Sequence, residues 1–211
     1  MFFVVLMILG AGAVSAGELP HLPFDGNWWM RVSRGQRAAF ISGFFDCAWY
    51  ERKLEFTYSL PISWAARRTT EYLQAMPEAR TLSLEKVFQR VAELPQVKSR
   101  LKIDPHDVGI KPHFGFNSWF WTDSLHSREL REAYVAGYLQ CNLMGSSTLT
   151  DIDTRRLAGY ADEISRFYGV SPSGGTIVNA VVDRDAYRKN SSVPIGDVLK
   201  KLLKGQGKEQ R

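Results

Sequence analysis

The segment Arg37-Ala38-Ala39-Phe40-Ile41-Ser42-Gly43-Phe44-Phe45-Asp46-Cys47 aligns in register with Arg131-Glu132-Ala133-Tyr134-Val135-Ala136-Gly137-Tyr138-Leu139-Gln140-Cys141, at a constant offset of 94 residues. Arginine, alanine, aromatic, β-branched, glycine, aromatic and cysteine positions recur in both segments. A pattern written twice in one chain points to a structural unit used twice, with neighbouring copies sharing a core. Trp29 precedes Ser33 in the first copy, and Trp119 and Trp121 precede Ser127 in the second. Each serine is placed to N-cap the following helix by accepting from a backbone N–H that has no partner inside the helix. The tryptophans at these repeat-related positions are expected to pack onto the core of each copy. A second match, Leu82–Phe88 with Val193–Leu199, closes each copy at an offset of 111. The second copy therefore holds 17 more residues, the length of one helix. The segment Thr150–Tyr168, opened by the capping box Thr150-x-x-Asp153, is the candidate insertion.

Glycine inside a helix costs about 1 kcal/mol relative to alanine, so Gly43 and Gly137 need a compensating gain. Their spacing puts Phe40, Gly43, Phe44 and Cys47 on one helix face, and Tyr134, Gly137, Tyr138 and Cys141 on another. A glycine flanked by aromatic rings lets a second helix come close. The expectation is that the two helices cross at Gly43 and Gly137 about a pseudo-two-fold axis, with Phe40 and Tyr134 packing around the contact. Such a crossing brings Cys47 toward Cys141. A disulfide there would stabilise the fold by roughly 4–5 kcal/mol in the chain-entropy model. The alternative is two buried thiols, small and apolar, that never meet.

Periodicity favours helix elsewhere too. Ile62, Ala65, Ala66, Thr69, Tyr72, Leu73 and Met76 follow the i, i+3, i+4, i+7 pattern up to Pro77. Leu84, Val87, Phe88 and Val91 do so before Pro95, as do Leu157, Tyr160, Ala161, Ile164, Phe167 and Tyr168. The fold class read from these patterns is all-α, with two tandem related helical repeats packed as one pseudo-two-fold body. The organisation is a signal peptide over 1–16, helical repeat 1 over 17–95, a linker over 96–115, helical repeat 2 over 116–204 and a basic tail over 205–211.

The leader reading rests on the apolar run Phe2–Leu9 and on Val14-Ser15-Ala16, which places small residues where signal peptidase needs them, with cleavage before Gly17. No Lys or Arg stands before the run, a departure from the usual leader. The run is shorter than the ~20 residues of a membrane-spanning helix. Export is therefore expected, to the periplasm or beyond, into an oxidising compartment where thiols can pair.

The formal net charge of +5 comes mostly from the C-terminal end. Lys200, Lys201, Lys204, Lys208 and Arg211 face only Glu209 there, and the rest of the chain is close to neutral. A nucleic-acid partner is not expected, because no basic face remains to follow a phosphate backbone. Membrane contact through the basic tail is a minor alternative to a solvated end.

No motif brings catalytic groups together, so no catalytic residue, cofactor or metal site is expected. Asp104, His106, Asp107 and His113 lie in a proline-bearing linker without the i, i+4 spacing of a helical zinc site, and His21 and His126 stand alone. Ser146 and Ser147 follow a helix rather than a strand, so they form no nucleophile elbow. Asp151 and Asp153 are explained by the dipole of a helix start. Ser171–Thr176 reads as a capping loop rather than an anion cradle. Of the six tryptophans, Trp28 is left without a core assignment and is the candidate binding surface.

The pattern of Trp29, Phe40-Ile41-Ser42-Gly43-Phe44 and Leu82–Val91, repeated as Trp121, Tyr134-Val135-Ala136-Gly137-Tyr138 and Val193–Leu203, resembles a class of secreted bacterial all-helical proteins. The nearest group with a known role is the Tai/Rap class of periplasmic type VI immunity proteins, which bind and block peptidoglycan amidase toxins. The resemblance implies a helical, exported, non-enzymatic protein whose partner is another protein. This chain departs from that class in being duplicated and in having one cysteine per copy. The function expected is an exported protein-binding module, immunity-like, that occludes its partner. The alternative is an exported hydrolase or carbohydrate-binding protein of the cell envelope.

Overall fold

The computed structural model describes residues 24–50, 61–101, 116–142, 154–174 and 180–209. The fold is all-α, and the described residues hold no β-strand beyond isolated bridges such as Asp25 with Ser83. A short helix α1 (Gly26–Arg31) leads into α2 (Arg34–Tyr50), followed by α3 (Ile62–Ala75). A 3₁₀ turn at Pro77–Thr81 connects to α4 (Leu84–Ala92) and α5 (Pro95–Leu101). A π-helical turn at Phe120–Ser124 precedes α6 (Arg128–Asn142), and then come α7 (Thr154–Phe167), α8 (Arg184–Asn190) and α9 (Ile195–Glu209).

The sequence explains these boundaries. Ser33 Oγ accepts from the Gln36 N–H at 3.2 Å while Gln36 Oε1 accepts from the Ser33 N–H, a reciprocal cap at the start of α2. Ser127 Oγ accepts from the Leu130 N–H at 3.4 Å at the start of α6. Pro77 ends α3, whose C-cap is Met76.

The core is built on the crossing of α2 and α6. A Cβ added to Gly43 would lie 1.9 Å from the Tyr134 carbonyl oxygen and 3.0 Å from the Tyr138 nitrogen. One added to Gly137 would lie 1.9 Å from the Phe40 carbonyl oxygen and 3.0 Å from the Phe44 nitrogen. Backbone therefore rests on backbone, reciprocally, and any side chain at either glycine would push the helices apart. Phe40 and Tyr134 are fully buried beside the contact. Each meets a buried indole nearly edge-on, Phe40 against Trp29 with ring centroids 6.4 Å apart and Tyr134 against Trp121 at 6.0 Å. Cys47 and Cys141 are also fully buried and near one another, with no disulfide between them.

The same hydrogen bonds recur on the two sides of this crossing. Trp29 Nε1 donates to Thr70 Oγ1 on α3, and Trp121 Nε1 donates to Ser165 Oγ on α7, both at 3.0 Å. Each hydroxyl donates one turn back, Thr70 to the Ala66 carbonyl and Ser165 to the Ala161 carbonyl, both at 2.8 Å. Arg37 Nε reaches the Trp29 carbonyl, and Arg131 Nε the Trp121 carbonyl. The Leu84 N–H donates to Phe24 O, and the Ile195 N–H to Phe116 O.

The structure revises three expectations. Helix α7, placed within the candidate insertion Thr150–Tyr168, instead occupies beside α6 the place that α3 holds beside α2. The additional chain of the second half comes after α7, where α8 has no equivalent between α3 and α4. The change of offset alone does not say on which side of α7 the added residues lie. The segment 96–115, expected as a linker, begins as helix: Pro95 stands at the first position of α5, where its fixed φ favours a helix start, and Val97 is buried. Trp119, expected to pack onto the core, is 56% exposed, and Trp121 alone takes the core position. The capping box at Thr150 and Asp153, the leader, His21, Asp104, His106, Asp107, His113, Ser146, Ser147 and Asp151 lie outside the described residues.

Candidate functional site

Trp28, the sequence candidate for a binding surface, is buried. Its ring packs against Phe24 at 4.9 Å and Phe40 at 5.2 Å, and Asp25 holds the turn by accepting from the Trp28 N–H at 2.8 Å. An apolar ring following an N-capping aspartate turns inward, so Trp28 belongs to the core. Met76, Trp119 and Val182 are the large hydrophobic side chains most exposed among the described residues.

A concave feature lies elsewhere. A groove of about 490 Å³ opens between the first turns of α2 and the outer face of α3. Arg34 and Arg37 of α2 line it together with Trp64, Arg67, Thr70 and Glu71 of α3. Arg37 is its fixed inner wall. Besides the Trp29 carbonyl at 2.8 Å, its guanidinium reaches the Met30 carbonyl at 3.2 Å and Thr70 Oγ1 at 3.4 Å. Partial desolvation lowers its pKa from the ordinary arginine value.

The outer wall is less committed. Arg67 is exposed and stands 3.9 Å from Glu71, whose carboxylate is held more closely by Arg68 at 2.7 Å. Arg68 also lies over the Trp64 ring, 5.4 Å from its centroid. Arg34 makes no ion pair among the described residues. The groove is thus cationic, with one rigid and two solvent-facing guanidinium groups around a half-buried indole.

The second half treats the corresponding place differently. Arg131 is fully buried, its guanidinium donating to the carbonyls of Trp121, Leu125 and Ser171 and to Ser165 Oγ. Burial pushes its pKa down to about 10, against the opposing pull of Asp162. The Ser171 carbonyl that seals it belongs to the segment after α7, where the two halves differ. Arg128, three residues before Arg131, is bound by Glu132 at 3.0 Å and by Asp162 at 3.2 Å.

A second polar feature sits inside the core. The Tyr134 hydroxyl donates to Asp46 Oδ2 between α2 and α6, and both residues are buried. Desolvation raises the Asp46 pKa to about 7. The hydrogen bonds from Tyr134 and from the Gly196 backbone at the start of α9 oppose that rise, while Asp197 adds to it. Tyr134 is pushed well above the usual phenol value, chiefly by its own burial. The pair has no open approach and reads as a structural polar contact.

Among the described residues, no group of three or more His, Cys, Asp or Glu side chains is placed to hold a metal ion. No described helix is long and apolar enough to cross a membrane. Sequence reasoning singled out the glycines, aromatic residues and cysteines of the crossing and missed the groove. The available signal was the polar side of α3, where Arg67 and Arg68 follow Trp64, together with Arg34 three residues before the repeated arginine. Comparison with protein-family models, with curated proteins and with solved structures finds no match to this chain.

Proposed function

We propose that this chain is an exported protein-binding module that acts by covering a partner protein with a preformed surface, as immunity proteins of the Tai/Rap class do. The observation that carries this reading is the groove between α2 and α3. It combines Trp64 with exposed arginines, the side chains most often found at energetically dominant positions of protein interfaces. It sits on a framework tied down by the Trp29, Arg37 and Thr70 bonds, so little ordering is needed on binding. The export half of the reading rests on the leader at 1–16.

Two related proposals accompany it. The reciprocal glycine contacts and recurring hydrogen bonds support an origin by duplication, with the halves packed about a local two-fold axis. The nearness of the buried Cys47 and Cys141 supports a disulfide between them in an oxidising compartment. Mass spectrometry of chain exported to the periplasm and kept non-reduced is expected to find the linked peptides, and two intact thiols would reject the bond.

The binding role is tested by affinity capture from cell-envelope extract with the mature chain and with an Arg34→Glu, Arg67→Glu double variant. A protein retained by the native chain and lost by the variant supports the proposal. Equal retention by both chains, or none by either, rejects the groove as the binding surface.

A further inference from the structure

We infer that the groove is built for carboxylates presented by an acidic segment of the partner protein, and that Arg34 and Arg67 receive them. This rests on the protein-binding reading of the same groove and adds the chemistry of what enters it.

The two halves of the molecule are matched by their own hydrogen bonds. Arg37 and Arg131 correspond through their bonds to Trp29 and Trp121, and Thr70 and Ser165 correspond as acceptors from those indoles. Three residues before the matched arginines stand Arg34 and Arg128, and three before the matched hydroxyls stand Arg67 and Asp162. In the second half Arg128 holds the carboxylates of Glu132 and Asp162. In the first half the position matching Glu132 is Ala38, and that matching Asp162 is Arg67. Arg34 therefore keeps the guanidinium of this arrangement but has lost both carboxylates, and faces a groove where a second guanidinium replaces one of them.

Position 64 changes as well. Six residues before the matched hydroxyls the second half has Gly159, with nothing within 4 Å of an added Cβ, while the first has Trp64 lining the groove. Among the described residues, the segment that seals Arg131 through Ser171 has no equivalent over Arg37. Among the described residues the second half is closed and pairs its outer arginine twice, while the first is open, and its outer arginines have in the groove the single carboxylate of Glu71, which Arg68 holds more closely. Carboxylates from outside restore the missing pairing, and guanidinium groups bind them with two parallel N–H donors. The indole supplies apolar contact to the segment that carries them.

The test uses the full mature chain and a rhodamine-labelled hexaglutamate peptide, followed by fluorescence anisotropy at low salt, with hexaglutamine as the uncharged control. The diagnostic variant is Arg67→Asp, which gives the first half the carboxylate that the second already has. Hexaglutamate is expected to bind the native chain at least about tenfold more tightly than hexaglutamine, and at least about tenfold more tightly than it binds R67D. R67D, whose new carboxylate also meets Glu71 one turn on, is expected to melt within a few degrees of the native temperature, so that lost binding is not lost folding. Arg34→Gln should weaken the peptide similarly, and inorganic phosphate at equal concentration should not displace it. Binding within twofold between native and R67D, equal binding of hexaglutamine, or full displacement by phosphate would overturn the inference. Capture of a partner that depends on Arg34 and Arg67 would in that event still stand, so the wider binding role is judged separately.

Discussion

The phenol of Tyr134 donates a hydrogen bond to the carboxyl of Asp46 in the space between α2 and α6, beside the Gly196 backbone at the start of α9. Three helices from both halves of the chain thus meet at one titratable group.

This group sets a pH dependence of stability. The Asp46 pKa is raised in the folded state to about 7 from an ordinary 3.8. Between those values the folded chain holds a proton that the unfolded chain has released. The contribution is therefore fully present below pH 3.8 and fades as pH rises through about 7. Glu132 is displaced in the same direction by its own desolvation, so Asp46 accounts for part of the slope. The urea midpoint of the native chain is expected to fall from pH 5 to pH 8. Asp46→Asn, whose amide oxygen still accepts from Tyr134, should show a shallower fall.

The crossing makes a sharp distinction among glycines. Gly43→Ala and Gly137→Ala each place a methyl group 1.9 Å from a carbonyl oxygen of the facing helix, and relief requires the two backbones to separate. Each is expected to cost more than about 3 kcal/mol in chemical denaturation. Gly159→Ala, on α7 with nothing near an added Cβ, should stabilise by up to about 1 kcal/mol through helix propensity alone. Equal effects at the three sites would contradict the close approach of α2 and α6.

The paired hydroxyls give a graded result. Ser165→Ala removes the acceptor of the fully buried Trp121 and of one Arg131 nitrogen, in a place shut off from water. Buried polar groups left unpartnered make this cost about 2–3 kcal/mol. Thr70→Val removes the same bonds in the first half, where Arg37 borders an open groove and water can replace the hydroxyl. Its loss should be smaller, and thermal melts of the two variants side by side measure the difference.

What could be read beforehand divides along the same lines. The helical class and the unusual status of Gly43 and Gly137 follow from residue spacing, because a glycine among aromatic residues in a helix has few explanations. The equivalence of α3 and α7 could not be read that way. Ile62 with Leu157, Ala66 with Ala161, Thr70 with Ser165 and Tyr72 with Phe167 keep their chemistry, while Arg67, Arg68 and Glu71 stand against Asp162, Glu163 and Arg166. Charge reversal on a solvated face leaves the fold intact and erases the visible repeat. The groove was hidden for the same reason, since it arises from what the first half lacks relative to the second. Trp28 misled because a tryptophan beside a core tryptophan looks redundant, whereas Phe24 and Phe40 give it a place of its own.

The meeting of Gly43 with Tyr134 and of Gly137 with Phe40 has one more implication. Each half finds the deepest contact of its central helix in the other half, so neither owns a complete interior. Cutting the chain between α5 and α6 would yield two fragments that each bare an aromatic furrow and regain order only by finding each other.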